Sequence, residues 1–157
     1  MKKLLIAATV SGLFFASAAQ AGSSTGTMAV SATVSGTCKI TTAAGTLAFG
    51  TIDPSIVAAA VTTSTTFAYK CTTGLTPLSM SNNLGVNFVG AQAKMASGAN
   101  LLNYSVAFAA QTLTAGTGFG TGSVATTITE NGTIALVDAQ SAAAGSYTDT
   151  VTITLNF

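Results

Sequence analysis

Residues 147–157, with the sequence Y-T-D-T-V-T-I-T-L-N-F, decide the fold of this chain. In an extended conformation their apolar side chains share one face and the threonines between them share the other. The apolar face consists of Val151, Ile153, Leu155 and Phe157. Such alternation, with β-branched residues throughout, is typical of a strand that is buried on one side and solvated on the other. The stretch therefore predicts a β-strand at the surface of a β-sheet core.

This strand needs a partner along both of its edges. An apolar strand with unpaired backbone N–H and C=O groups is a template for pairing with another chain. The sequence reaches Phe157 in full alternation, with no turn and no further strand after it. We therefore expect its partner to be either an earlier segment of this chain or a strand from a different chain.

The first residues have the pattern of a secretory signal peptide. Lys2 and Lys3 precede an apolar run over 4–16, and the small-residue site Ala19-Gln20-Ala21 follows. A signal peptide over 1–21 would be removed, so the mature protein is expected to begin near Gly22 and to be exported. The apolar run is too short for a membrane span. The remaining residues are enough for one domain with its own core.

The composition argues against several classes of function. The chain has no His and no Trp, all of its five basic residues are lysines, and only 6% of its residues are charged. Such a surface offers no electrostatic footprint for nucleic acid or for anionic lipid. Without His there is no Ser-His-Asp arrangement, and the few carboxylates lie at predicted turns and strand ends. Asp149 is expected to hold the preceding turn through backbone N–H groups. We predict no enzyme, no catalytic, metal-binding or cofactor-binding residue, and no small-molecule substrate.

The two cysteines, Cys38 and Cys71, form the only possible pair. In an exported chain a disulfide is the expected state. Closing a loop of this length stabilises the fold by about 4 kcal/mol on the chain-entropy model. Two free or metal-binding thiols are the alternative, but the further ligands of a zinc site are missing.

Short alternating segments recur along the mature chain between Gly, Pro, Asn and Ser clusters, which favours an all-β sandwich or barrel. The longest central strand is predicted over 102–108, and Asn131-Gly132 is predicted to be a tight turn. The glycine-rich run at 116–122, G-T-G-F-G-T-G, is predicted to be a flexible connecting loop. A second alternating apolar row lies near the start of the mature chain and consists of Met28, Val30, Ala32 and Val34.

Several motifs together resemble the spore coat protein U domain family, which contains the pilins of archaic chaperone–usher pili. The resemblance covers essentially the whole mature chain and is most specific near its end. The motifs are Cys38, Phe49-Gly50-Thr51, Phe67-x-Tyr69-x-Cys71, Leu102-Asn103-Tyr104-x-Val106, Gly145-x-Tyr147-x-Asp149-Thr150 and Leu155-Asn156-Phe157.

This resemblance implies an incomplete immunoglobulin-like β-sandwich with six strands of its own and a seventh donated by another chain. It divides the chain into a signal peptide at 1–21, a donor-strand arm at 22–34 and a pilin domain at 35–157. The donor row is then Met28, Val30, Ala32 and Val34, and the acceptor groove is lined by Val151, Ile153, Leu155 and Phe157. The implied partners are neighbouring copies of the same subunit, a periplasmic chaperone and an outer-membrane usher.

The function that the resemblance implies is that of a structural subunit of an extracellular pilus, which supports surface attachment and biofilm formation. Its route would lead through the periplasm to the cell surface. Two alternatives remain open at this stage. One is a self-contained secreted β-sandwich that acts as a binding module, although the chain lacks the aromatic residues of a sugar platform. The other is an outer-membrane β-barrel, for which the segments are short and the aromatic residues sparse.

Overall fold

A computed structural model describes residues 21–42, 45–110 and 112–157, and the predicted signal peptide lies outside this part except for its last residue. The structure divides into two units, Met1–Thr33 and Val34–Phe157. The described residues of the second unit form seven strands and one short helix. These are β1 (Cys38–Thr42), β2 (Val61–Cys71), β3 (Ser79–Asn82), β4 (Ala93–Ser97), β5 (Asn100–Phe108), β6 (Thr126–Ile134), α1 (Leu136–Ser141) and β7 (Ile153–Asn156).

The larger sheet is antiparallel and has the strand order β1-β2-β6-β5-β4. Its inward rows carry the apolar residues that the period of two predicts, so that Phe67, Tyr69 and Cys71 of β2 are all buried. β5 does alternate as predicted, but β6 and not β5 is the central strand of the sheet. The second sheet contains only β3 and β7, paired antiparallel with Met80 opposite Leu155. The all-β prediction is confirmed.

The described residues contain one strand more than the six expected. The additional strand is β4, which a tight turn at Gly98 (φ 61°) joins to β5. Its sequence, A-K-M-A-S, shows no clear alternation of apolar and polar residues. Sequence patterning therefore gave no signal for it, and its pairing with β5 is what makes it a strand.

The core consists of two apolar clusters under the larger sheet. One is built around Tyr104 and Ile134, and the other around Phe67, Tyr69 and Ile128. On β6 the inward row runs from Ile128 to Ile134, and Glu130 and Gly132 occupy the two positions between them. Both of these residues are buried. The division of the core therefore coincides with a carboxylate and a glycine in the middle of an otherwise apolar row.

The disulfide prediction is confirmed, because Cys38 and Cys71 are bonded to each other. They are also directly opposite in the β1–β2 ladder, with a Cα–Cα distance of 4.0 Å. Cys71 is fully buried and Cys38 is 7% exposed. The bridge thus joins the edge strand β1 to the interior of the larger sheet.

The prediction of a tight turn at Asn131-Gly132 is wrong. Both residues lie inside β6, where Asn131 pairs with Ser64 and Gly132 pairs with Thr63. A side chain at position 132 would collide with Leu47 and Phe49, which pack directly over the glycine. The glycine is therefore needed for the close approach of the segment at 47–49 to β6 and not for a turn.

The glycine-rich run is not a free connecting loop. Gly116 forms a parallel bridge with Thr73, donating its N–H to Leu75 and accepting from Gly74, each at 2.9 Å. Gly118 donates its N–H to the carbonyl of Cys71 at 3.0 Å. The run therefore lies against the end of β2 beside the disulfide, where its backbone comes too close to Cys71 for a side chain at position 116.

The described residues of the first unit, 21–33, contain no helix or strand and are exposed. Met28 is 84% exposed and Val30 is 81% exposed. The apolar row predicted from the sequence thus lies in a stretch without regular secondary structure, with its large side chains exposed. Among the described residues no helix is both long and apolar enough to cross a membrane.

Candidate strand-acceptor site

One edge of the last strand is paired along its whole length with β3. Asn83 donates its N–H to the carbonyl of Thr152 at 3.1 Å, and Leu78 donates to the carbonyl of Asn156 at 2.8 Å. Successive residues of an extended strand direct their backbone groups to opposite edges. The backbone groups of Thr152, Thr154 and Asn156 therefore face β3, and those of the residues between them face away from it.

The same side of the chain is paired earlier in the last segment. Ala96 of β4 and Thr148 exchange both backbone hydrogen bonds, at 2.9 and 3.0 Å. Thr148 and Thr152 are four positions apart, so in an extended segment their backbone groups point to the same edge. Hence β3 and β4 follow one another along a single edge of residues 148–156.

The opposite edge carries the backbone groups of the residues whose apolar side chains the sequence predicts to line an acceptor groove. In the part of the chain that the structure describes, no strand pairs with this edge. Ile153 and Leu155 are half-buried against the second core cluster, and Val151 packs against the first. Phe157 is 50% exposed. Val151, Ile153 and Leu155 combine inward apolar side chains with backbone groups that point to an edge without a partner in the described residues, which is the geometry that an added strand requires.

An open cleft of about 1050 Å³ lies next to this edge. It begins at Val151 and extends along the residues that precede it. Its two walls are residues 45–52 and 142–151, and its floor is apolar. The floor residues are Met95, Leu102, Tyr104 and Ile134. The wall at 45–52 has no regular secondary structure, although its apolar residues Leu47 and Phe49 pack on the core. The cleft is therefore a gap over an apolar surface between two segments that form no regular strand.

Asp149 lies on the rim of this cleft and accepts four hydrogen bonds. Its Oδ2 atom accepts from the hydroxyl of Tyr104 at 2.6 Å. Its Oδ1 atom accepts from the N–H of Val86 at 3.0 Å, from Nδ2 of Asn87 at 3.1 Å and from the N–H of Thr150 at 2.8 Å. The prediction that this carboxylate holds the preceding turn is wrong, because the backbone donors lie after it and in a distant segment.

The hydroxyl of Tyr104 keeps its proton at any ordinary pH and so remains a donor to Asp149. Burial raises the pKa of its hydroxyl far above the usual value, and the hydrogen bond to Asp149 raises that pKa further. The phenol therefore stays protonated. Its ring contacts Phe49 edge-on, with centroids 6.3 Å apart, so that it also belongs to the apolar floor.

Glu130 is the second carboxylate of this region. It is 4% exposed, and its Oε1 atom accepts a hydrogen bond from Nδ2 of Asn82 at 2.9 Å. Burial raises the pKa of Glu130, and the bond from Asn82 offsets part of this effect. Because Asn82 belongs to β3 and Glu130 to β6, the pair links the two sheets.

The site shows no chemistry of an active centre among the residues that the structure describes. No group of three or more His, Cys, Asp or Glu side chains is placed to hold a metal ion. Sequence reasoning identified the apolar row and missed the wall at 45–52, the floor and the contact of Tyr104 with Asp149. The latter two residues are 45 positions apart in the chain, and no local pattern reports such a distance.

The fold and the free edge describe a β-sandwich whose smaller sheet has only two strands. Among solved structures, a similar one is the crystal structure of the CsuC–CsuE chaperone–tip adhesion subunit pre-assembly complex from archaic chaperone–usher Csu pili of Acinetobacter baumannii. The match has a TM-score of 0.52 and 22% sequence identity, and it covers 80% of this chain. This chain spans about 40% of the length of the matched chain. The similarity shows the fold, which corresponds to an incomplete immunoglobulin-like sandwich.

Residues 24–154 match the family model of the Spore Coat Protein U domain. The matched region is most of the chain, so this chain belongs to the Spore Coat Protein U domain family. Members of this family are structural proteins and not enzymes, in agreement with the prediction from composition. A comparison with curated proteins found no match.

Proposed function

We propose that this chain is a structural subunit of an extracellular chaperone–usher pilus and that it polymerises by accepting a strand from a neighbouring copy. The observation that carries the proposal is the free edge of the last strand, formed by Val151, Ile153, Leu155 and Phe157, beside an apolar cleft. An edge of this kind is completed by β-strand addition, which is a known mode of recognition in chaperone–pilin complexes.

The occupant is the arm at residues 22–34 of a second copy. The arm carries a row of apolar side chains with a period of two, which matches an acceptor whose inward side chains are also apolar. Met28, Val30 and Val34 are 84%, 81% and 80% exposed, so this row has no packing partner of its own. An extended arm of this length reaches about 40 Å. That is enough to span the free edge from Asp149 to Phe157, at about 3.3 Å per residue.

The interaction is strong enough to determine whether the subunit is stable. Burying three side chains of the size of Met and Val contributes roughly 4–9 kcal/mol. The ladder hydrogen bonds add about 1 kcal/mol each before the cost of ordering the arm. The stability of a whole domain is only about 5–15 kcal/mol. Donation from one copy to the next is head-to-tail and does not close on itself, so it produces a fibre.

A free groove of this kind has to be protected before assembly. We therefore include a periplasmic chaperone, which occupies the groove first, and an outer-membrane usher among the partners. The similar solved structure is itself a complex of a chaperone and a pilus subunit before assembly, which supports this part of the proposal. The fibre would then lie at the cell surface, where it supports attachment and biofilm formation.

The test is a charge placed in the donor row. Val30→Asp puts an unpaired carboxylate into an apolar groove, which is very costly. The variant should accumulate in the periplasm with its chaperone and form no fibres by electron microscopy. Ser31→Asp, on the opposite row of the same arm, is the matched control and should assemble. Fibres of normal length and abundance from Val30→Asp would overturn the proposal.

A further inference from the structure

The cleft beside the last segment is apolar and open, and such a cleft tends to close. Bringing the last segment down onto the apolar floor would remove apolar surface from water, which is favourable. A closed cleft could not admit an extended strand. The pairing of Thr148 with Ala96 joins the last segment to the edge of β4, so a further contact must keep the residues after Thr148 away from the floor of the cleft while no strand is bound.

Polar contacts between the floor and the rim of the cleft hold the last segment in this position. The hydroxyl of Tyr104, on β5, donates to Oδ2 of Asp149, on the last segment, at 2.6 Å. The same carboxylate accepts from the N–H of Val86 and from Nδ2 of Asn87, both in the connection between β3 and β4. Three parts of the chain thus meet at one charged group. Hydrogen bonds to an ionised acceptor are shorter and stronger than neutral ones.

The backbone around Asp149 is arranged to admit this carboxylate. Gly85 has a φ of 92°, which favours glycine. A Cβ atom at this position would collide with the carboxylate of Asp149 and would lie 2.9 Å from the hydroxyl of Tyr104. Asn83 Oδ1 accepts the N–H of Gly85 at 3.0 Å and so fixes the turn that makes this room. The contact is therefore part of a built arrangement and not a chance approach of two side chains.

We propose that the Tyr104–Asp149 pair is a spacer that holds the last segment at a fixed distance from β5 and so keeps the acceptor cleft wide enough for an incoming strand. The inference rests on the proposed function and assigns Tyr104 and Asp149 as positioning residues for strand uptake. The ring of Tyr104 forms part of the apolar floor, and its hydroxyl fixes the distance between the floor and Asp149.

The experiment measures uptake of a labelled synthetic peptide with the sequence of residues 22–36. The acceptor is the mature chain with Val30→Asp in its own arm, which prevents self-assembly, diluted from denaturant into peptide. Two kinetic phases are separated by varying the peptide concentration. The phase that does not depend on peptide reports the partial folding that the chain reaches alone, and the phase that does reports entry of the strand and completion of the fold.

Tyr104→Phe removes the hydroxyl and keeps the ring, and Asp149 retains three other donors. It should slow the peptide-dependent phase about tenfold or more. Tyr69→Phe is the matched control, because its buried hydroxyl bonds to Thr114 and lies outside the cleft lining. It should leave this phase within about twofold of the parent, while both variants lower the melting temperature of the loaded form by similar amounts.

Asp149→Asn keeps the shape of the side chain and should slow the same phase, which provides a second variant if Tyr104→Phe does not reach the loaded form. The inference is overturned if Tyr104→Phe takes up the peptide at the parent rate, or is slowed no more than Tyr69→Phe. Failure of the proposed function looks different, because then the parent chain itself takes up no peptide.

Discussion

Ala96 and Thr148 exchange both of their backbone hydrogen bonds, and this pair extends the paired edge of the last segment beyond its pairing with β3. It places β4 on the same side of the segment as β3. The opposite side then has no paired strand over the described residues from 148 to 156. The free edge and the cleft at 142–151 therefore adjoin each other, and we propose both as parts of one acceptor surface.

A charge on the acceptor row should prevent the subunit from binding any strand. Leu155→Asp places a carboxylate among the half-buried side chains that face the second core cluster, where it has no partner. We expect loss of both chaperone complex and fibres, measured by co-purification and by electron microscopy. Thr154→Asp changes the neighbouring residue, which is exposed, and should behave like the wild type. Normal fibres from Leu155→Asp would contradict the assignment of this edge.

Removing the buried carboxylate should stabilise the assembled protein at neutral pH. Burial raises the pKa of Glu130, so between the unfolded value of about 4.3 and the folded value the native state binds more protons than the unfolded state. Its contribution to stability therefore falls as pH rises through this window. Glu130→Gln keeps the contact with Asn82 without the charge, and should raise the denaturation midpoint at about pH 7.5.

The gain from Glu130→Gln should vanish below about pH 4, where the wild-type carboxyl is protonated in both states. Denaturant unfolding of assembled wild type and variant at both pH values measures the difference. A variant that is less stable than the wild type at neutral pH would show that the ionised carboxylate stabilises the fold.

Gly132→Ala should destabilise the fold although alanine is not unusual in a strand. Its Cβ atom would collide with the side chains of Leu47 and Phe49, so the wall of the cleft would have to move. Overpacking of this kind costs about 1–3 kcal/mol. Gly120→Ala is the control, because a Cβ atom there meets nothing within 4 Å. Thermal melting of the assembled forms compares the two, and equal melting temperatures would count against tight packing at 132.

Sequence alone predicted the features that depend on local alternation and on the number of cysteines. The inward rows of β2 and β5, the Cys38–Cys71 bridge and the apolar row at 151–157 all follow from such patterns. It failed where tertiary contacts override a local preference. Asn131-Gly132 has the composition of a turn, yet the glycine is required by side chains that approach from residues 47 and 49.

The polar links between the layers were also beyond sequence reasoning. Asn82 and Glu130 are separated by 48 positions, and Tyr104 and Asp149 by 45. No periodicity brings such residues together. For the same reason the short strand β4 was recognisable only through its pairing with β5 and with Thr148.

The central claim, that the fold is completed by an arm from another copy, is tested most directly by removing the arm. The mature chain without residues 22–34 is examined by circular dichroism during heating, with and without a peptide of residues 22–36. We predict no cooperative transition for the truncated chain alone, and a cooperative transition at high temperature once the peptide is added. A stable monomer that melts cooperatively without peptide would show that the acceptor edge does not need an added strand, and would contradict the account.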